Sequence, residues 1–115
     1  HKIVFGHFAI WASPGRYGDN AELAERFAPI LQRHGVDLYL AGHEHHLEIQ
    51  APRGGLVQAI SGAGSQNRDV APGPMSRFAS GRLGFLWFSV GRDGLLVRAV
   101  SRDGLVLFEG PLPEN

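Results

Sequence analysis

Two short apolar runs that each end in Gly-His, with a helix-like segment between them, most constrain the fold of this chain. The first run covers residues 3–5 and leads into His7, and the second covers residues 36–41 and leads into His43. Short apolar runs bounded by glycine are typical of buried strands. The stretch between them is long enough for a helical crossover, so the pattern predicts two parallel strands of one sheet.

The segment between the two runs carries the signals of a helix. Asp19 and Glu22 form a capping-box pattern, so we expect the helix to begin at Asp19. Apolar side chains then recur at helical spacing on one face, and Gly35 stands where a C-terminal cap belongs. Pro29 interrupts the apolar face, and it either kinks the helix or starts a second one.

The remainder of the chain has the pattern of antiparallel strands separated by turns. We expect strands over residues 47–51, 56–60, 85–90, 95–100 and 105–108. The last three form a meander, because Asp-Gly pairs between them supply the backbone angles of tight hairpins. Residues 66–83 are predicted to form a long loop. A strand, a helix and a strand followed by antiparallel strands predict a mixed α/β fold.

Composition excludes several classes of protein. The 115 residues carry 11 basic and 11 acidic side chains, and a net charge of zero argues against a general binder of nucleic acid or anionic membranes. The absence of cysteine excludes disulfides, zinc fingers and cysteine nucleophiles. No apolar run approaches the roughly 20 residues of a membrane span.

Three histidines, His7, His43 and His45, follow the two predicted parallel strands. Ligands of open α/β sheets bind at the carboxyl ends of the strands, and imidazole is a common ligand of transition metals. In an extended segment the H-x-H spacing directs both side chains to one side, whereas in a loop they can address two neighbouring metals. The sequence therefore predicts a metal site at this edge of the sheet.

The motifs K-I-V-F-G-H, G-V-D-L-Y-L-A-G-H-E-H and S-G-A-G-S, between residues 2 and 65, together resemble a known family. They are similar to the C-terminal half of a calcineurin-like metallophosphoesterase, and most of all to the small purple acid phosphatases of the tartrate-resistant type. The resemblance implies a four-layer α/β/β/α sandwich. Residues 1–115 would then be the C-terminal part of one domain, a strand-helix-strand unit followed by an antiparallel meander.

The resemblance also implies a chemistry for the histidines. It points to a dinuclear centre, iron paired with iron, zinc or manganese, that hydrolyses a phosphoester through a metal-activated hydroxide. Carried over by motif, His7 and His43 would bind one metal ion and His45 the other. The family's aspartate and asparagine ligands and its catalytic histidine belong to motifs that this sequence lacks. We therefore expect the catalytic residues upstream of His1, and we expect the chain alone to be inactive and to bind metal ions weakly, in smaller number or not at all.

Substrate contacts and partners follow from the same resemblance. We expect contacts to a phosphoester substrate from four side chains, Arg16, Tyr17, His46 and Arg68. The missing N-terminal half of the domain is the expected partner, and the parent protein is expected to be secreted or periplasmic. Exposed strand edges also predict a dimer or a strand swap.

Two alternatives from other classes stay open. His43 and His45 followed by Glu48 come close to the motif of a single-metal cupin-like β-barrel, although Glu48 is one residue early and no histidine follows His46. A non-catalytic interaction module is the second alternative. Metal analysis distinguishes the three hypotheses, since they require two metal ions per parent chain, one, or none.

Overall fold

A computed structural model describes residues 1–12 and 18–112. The part of the chain that it describes contains eight strands and one helix. The strands are β1 (Ile3–Phe5), β2 (Leu38–Ala41), β3 (Leu47–Gln50), β4 (Val57–Ser61), β5 (Ser76–Ser80), β6 (Gly84–Gly91), β7 (Gly94–Ser101) and β8 (Val106–Leu112). The helix begins at Ala21 and comprises a π-helical turn (Leu23–Phe27) and α1 (Ala28–Arg33).

The strands form two separate sheets. The larger has the order β1-β2-β4-β3-β5 and the smaller the order β6-β7-β8. The predicted parallel pairing of β1 with β2 is present, and β2 is also parallel to β4. The mixed α/β fold is therefore confirmed. The cupin-like alternative is wrong, because the described strands make two sheets with parallel pairs and do not close into one antiparallel barrel.

Both faces of the five-stranded sheet are covered. On one face Leu31 of α1 packs with Tyr39 and Ile60 in one apolar cluster. On the other face Ile49 packs with Val97 of the three-stranded sheet in a second cluster. The described residues thus build three layers, helix, sheet and sheet. The fourth, helical layer of the predicted sandwich has no counterpart within the described ranges.

The helix begins at Ala21, two residues later than predicted, and its N-cap is Asn20 in place of Asp19. The Asn20 Oδ1 atom accepts a hydrogen bond from the Leu23 N–H at 3.1 Å, which is the bond of an N-cap. Asp19 instead accepts a hydrogen bond from the Ala12 N–H at 2.9 Å. Asp19 therefore ties the preceding segment to the helix start, and Asn20 caps the helix.

Substitution of Asn20 tests directly whether this residue caps the helix. Asn20→Ala is expected to lower the free energy of unfolding by about 1 kcal/mol, because one amide of the first turn loses its acceptor. Asn20→Asp keeps an acceptor at the same place and is expected to retain the stability. Urea denaturation of the two variants measures both values. Equal stability of Asn20→Ala and the unaltered chain would contradict the assignment.

Pro29 changes the geometry of the helix without ending it. Proline has no N–H, and its ring crowds the carbonyl four residues earlier. Directly before it the Ala28 N–H donates to the Leu23 C=O, five residues back, so one wider π-helical turn precedes the α-helical turns. Gly35 adopts a φ of 65° and ends the helix as predicted. No helix in residues 1–12 and 18–112 has the length and apolar content that a membrane span requires.

The long loop predicted over residues 66–83 contains a strand. β5 pairs antiparallel with β3, with Phe78 opposite Ile49, and Phe78 packs against the core between the sheets. A strand with one large apolar residue gives almost no periodic signal, which is why the sequence did not predict it. The meander β6-β7-β8 is confirmed, and Gly91 pairs with Gly94 across its first turn.

Candidate metal centre

Two of the three predicted metal ligands are in direct contact. The His7 Nε2 and His43 Nδ1 atoms are 3.2 Å apart, and the two rings meet edge to face with centroids 5.1 Å apart. The register of the parallel strands produces this contact, because Phe5 lies opposite Leu40 and both strands end at the same edge. The prediction that these strand ends meet is correct.

Backbone hydrogen bonds hold the two histidine loops together. The Gly42 N–H donates to the His7 C=O at 3.0 Å. The Glu44 N–H donates to the Gly42 C=O at 2.7 Å and closes a three-residue turn centred on His43. His43 has a φ of 63° and is the one non-glycine residue at positive φ in the described ranges. This conformation costs free energy for an L-residue, and such strain is concentrated at functional sites.

Tyr39 and Phe8 support the histidine pair from the sheet. A Cβ atom at Gly6 would lie 2.6 Å from the Tyr39 hydroxyl oxygen, so glycine allows this close approach. The Tyr39 hydroxyl donates to the Phe8 C=O at 2.8 Å, and burial raises the pKa of Tyr39, which keeps the phenol protonated. The Phe8 ring contacts both imidazoles, with centroids 4.9 Å from His7 and 4.8 Å from His43. These contacts restrict the orientations of both imidazole rings.

His45 has a different environment from the histidine pair. Its Nδ1 atom is buried and has no hydrogen-bond partner in the described part of the chain. A buried polar atom left unpaired costs free energy, and a metal ion would satisfy an imidazole nitrogen. His45 does not join His7 and His43 in one cluster. Within residues 1–12 and 18–112 no group of three or more His, Cys, Asp or Glu side chains is placed to hold a single ion.

The donor atoms fit a metal centre that other residues complete. Two nitrogens bound to one ion at about 2.0–2.1 Å stand roughly 3.0–3.4 Å apart. The nitrogens of His7 and His43 are 3.2 Å apart, which matches the spacing of two ligands on one ion. Two histidines supply part of a shell of four or more ligands. The unpaired nitrogen of His45 suits a second, separate ion.

The residues predicted to contact substrate have different positions. His46 is buried and its Nε2 atom lies 3.0 Å from the Glu48 Oε1 atom, so its ring faces the core and its position gives no support to substrate contact. Arg68 is half-buried, and its N–H donates to the His45 C=O at 2.8 Å, which places its backbone beside the H-x-H segment. The other two residues predicted to contact substrate, Arg16 and Tyr17, lie outside the residues that the structure describes.

A buried polar network next to the histidines was not predicted. Glu48 accepts a hydrogen bond from the Ser76 hydroxyl at 2.6 Å and from the Gln50 amide at 3.4 Å. The amides of Gln50 and Gln58 donate to the Trp11 C=O at 3.3 and 2.7 Å. Alternating polar residues in a strand normally indicate a solvent-exposed face. Here the segment that contains Trp11 covers that face of the sheet. The alternation of polar and apolar residues could not predict that the face is buried.

Gly62 shows why glycine is needed within S-G-A-G-S. A Cβ atom at this position would overlap the Glu44 carbonyl oxygen and lie 2.8 Å from the Glu44 carbonyl carbon. The Gly62 N–H donates to the His46 C=O at 3.1 Å. The end of β4 therefore packs directly against the backbone between the histidines. At Gly64 an added Cβ atom would meet open space.

The parallel strands deliver histidines to one edge of the sheet, and the glycine-rich end of β4 packs against them. The chain has a mixed α/β fold similar to that of a purple acid phosphatase, and its similarity in sequence to purple acid phosphatases is confirmed. It is 47 % identical over 66 residues to purple acid phosphatase 17 of Arabidopsis thaliana. It is 34 % identical over 65 residues to tartrate-resistant acid phosphatase type 5 of Homo sapiens.

Each of these two matches covers 56 % of the chain but 19 % and 20 % of the relatives, so the chain matches about a fifth of their length. Among solved structures, GAP50, described as the anchor in the inner membrane complex of Plasmodium, aligns with a TM-score of 0.88 at 27 % identity over 96 % of the chain and 35 % of GAP50. The purple acid phosphatase PPD1 of yellow lupin aligns with a TM-score of 0.83 at 20 % identity over 95 % of the chain and 24 % of PPD1. No family model matches the chain.

Proposed function

We propose that this chain belongs to a metal-dependent phosphoester hydrolase of the acid-phosphatase type, of which residues 1–115 form the C-terminal part of the catalytic domain. The observation that carries the proposal is the 3.2 Å contact between the His7 and His43 nitrogens at the ends of adjacent parallel strands. Relatives that bear the name acid phosphatase match the chain at 34 % identity or more. This supports the assignment of the histidines to phosphoester chemistry.

In the proposed site His7 and His43 hold one metal ion and His45 holds a second, with iron paired with iron, zinc or manganese. When bound, the two ions supply charge stabilisation and Lewis-acid activation at the phosphate. The residues of this chain fix the positions of the ligands. The turn at His43 and the ring of Phe8 orient the His7–His43 pair, and the Nδ1 atom of His45, which has no hydrogen-bond partner in the described part of the chain, is left for the other ion.

The remaining ligands and the catalytic acid are proposed to lie in an N-terminal half of the domain. β1 is an edge strand of the five-stranded sheet, and Phe5 on this strand is 80 % exposed. An unpaired parallel edge with an exposed aromatic side chain is suited to pairing with further strands. We also propose a secreted or periplasmic location for the parent protein, on the basis of its similarity to purple acid phosphatases.

The activity test uses the longer protein that includes the residues upstream of His1. It is expected to hydrolyse p-nitrophenyl phosphate, to lose activity on chelation of its metals and to lose more than about 100-fold of its activity in His43→Ala. His34→Ala is the matched control, because His34 is exposed at the end of the helix and should have no effect. The chain of residues 1–115 alone is expected to be inactive. Full activity of His43→Ala in the longer protein would contradict the proposal.

A second candidate function is non-catalytic anchoring. The structural neighbour GAP50 is described as an anchor and resembles this chain over 96 % of its length. An anchoring role requires neither turnover nor metal ions. A longer protein that folds without metal and shows no phosphatase activity would favour this candidate.

A further inference from the structure

An open pocket lies between two turns that each carry an exposed arginine. One turn precedes β6 and contains Arg82, and the other joins β7 to β8 and contains Arg102. The Arg102 N–H donates to the Leu83 C=O at 2.9 Å, which holds the two turns side by side. The pocket has a volume of about 370 Å³, and besides the two arginines it is lined by Asn67, Leu83, Ser101 and Asp103. We call this space the Arg82 pocket.

Two backbone links tie the Arg82 pocket to the segment that carries the predicted metal ligands. The Arg68 N–H donates to the His45 C=O at 2.8 Å, and the residue before it, Asn67, lines the pocket. On the other side, the Ala63 C=O lies two residues beyond β4 and accepts from the Gly84 N–H at 3.0 Å. Gly84 directly follows a lining residue of the pocket. The pocket therefore lies at the same end of the sheets as the histidines.

The described lining of the Arg82 pocket carries an excess of positive charge. In residues 1–12 and 18–112 neither the Arg82 nor the Arg102 guanidinium forms an ion pair or a side-chain hydrogen bond. Asp103 is the one acidic residue of that lining, and it forms no ion pair there either. The residues that flank the undescribed segments, at positions 12, 18 and 112, do not line this pocket. Two unpaired like charges repel each other, and an anion between them removes the repulsion.

The sequence offers an internal comparison for this pocket. Arg-Asp-Gly-Leu occurs twice, at residues 92–95 and 102–105. The first copy forms the turn between β6 and β7, and the second forms the turn between β7 and β8. The two turns lie at opposite ends of the small sheet, because Gly91 pairs with Gly94 at one end and Gly84 with Ser101 at the other. The second copy alone lies beside Arg82, so Arg92 has the same local sequence as Arg102 without the pocket.

We propose that the Arg82 pocket binds a phosphate-type oxyanion between the guanidinium groups of Arg82 and Arg102. A guanidinium presents a planar fork of N–H donors that matches two oxygens of a phosphate. The pocket is a second site, separate from the predicted metal centre, because its described lining contains no histidine. The oxyanion has two possible sources, a second phosphate group on the substrate or free inorganic phosphate. The binding is independent of the proposed function, whereas the first source rests on it.

Titration of inorganic phosphate tests the site in the longer protein that includes the residues upstream of His1. With ¹⁵N-labelled arginine and constant ionic strength, we expect saturable shifts of the Arg82 and Arg102 Nε–H resonances and none for Arg92. Arg102→Gln is expected to weaken the binding reported by Arg82 about threefold to fivefold, the effect of one exposed ion pair. Arg92→Gln makes the same change in the other copy of the motif and should leave the binding unaltered.

Three results would overturn the inference: no saturable shift at Arg82 and Arg102, shifts of equal size at Arg92, or unchanged binding in Arg102→Gln. If Arg102→Gln does not fold, Arg82→Gln replaces it, with Arg102 as the reporter and the same expected weakening. An active phosphatase whose Arg82 and Arg102 do not respond to phosphate overturns this inference alone. Phosphate binding at both arginines in a protein without phosphatase activity overturns the proposed function alone.

Kinetics of Arg102→Gln in the longer protein distinguish the two sources of the oxyanion. A rise in KM for glucose 1,6-bisphosphate of about threefold to fivefold, with an unchanged KM for glucose 6-phosphate, supports a second phosphate group on the substrate. Unchanged KM values for both substrates, together with the weakened binding of inorganic phosphate, support free phosphate as the source. An equal rise in both KM values would contradict the inference, because Arg102 would then act on the reacting phosphate and not at a separate site.

Discussion

Gly62→Ala is expected to destabilise the chain by about 3 kcal/mol, the upper part of the range for an overpacked core. The added methyl group overlaps the Glu44 carbonyl, which is backbone and cannot rotate away as a side chain can. Glu44 is itself held on both sides, because its N–H donates to Gly42 and its C=O accepts from the His46 N–H at 2.9 Å. The methyl group can be accommodated only by a shift of the turn that contains His43.

The neighbouring glycine provides the matched control. Gly64→Ala adds the same methyl group where no atom lies within 4 Å, and its effect on stability is expected to stay within about 0.5 kcal/mol. Urea denaturation compares the two variants, and zinc titration shows whether the histidine pair has moved. A Gly62→Ala variant as stable as Gly64→Ala would show that β4 does not pack against the histidine turn as described.

His43→Ala is expected to weaken zinc binding by the chain by at least about 10-fold. His7 and His43 present two nitrogens at the spacing of two ligands on one ion, and loss of either leaves one. The effect on stability is expected to be small, because His43 is only half-buried and alanine keeps the Cβ atom that is strained at a φ of 63°. Loss of metal affinity without loss of stability is typical of a ligand.

His34→Ala is the control for zinc binding, since His34 lies at the exposed C-terminal end of the helix. Calorimetric titration of zinc into both variants and the unaltered chain gives the affinities. Equal weakening by His34→Ala and His43→Ala would indicate non-specific binding to surface histidines. That outcome would remove the principal support for the metal site.

The histidine edge was predictable because it depends on topology and local pattern together. Apolar runs that end in Gly-His predict strands, and a crossover of this length predicts parallel pairing. Parallel strands share an edge, so His7 and His43 had to meet there. The register that sets their nitrogens 3.2 Å apart follows from the pairing of Phe5 with Leu40, which no local pattern specifies.

Features that depend on distant segments were not predictable. Asp19 stands at the start of a capping-box pattern, but its carboxylate accepts a hydrogen bond from the Ala12 N–H. Asn20 therefore caps the helix in its place. The polar positions Glu48 and Gln50 have the pattern of a solvent face, but the segment around Trp11 covers them. β5 lacks an apolar pattern and exists because β3 offers it a free edge. In each case a tertiary contact outweighs the local preference.

Metal content of histidine variants of the longer protein, measured by plasma mass spectrometry, tests the central claim most directly. We expect two metal ions per chain in the unaltered protein, one in His7→Ala or His43→Ala, and one in His45→Ala. Combination of His43→Ala with His45→Ala is expected to remove both ions, while His34→Ala retains two. Two ions retained in the variant that lacks both His43 and His45 would contradict the assignment of these histidines as the ligands of a dinuclear centre.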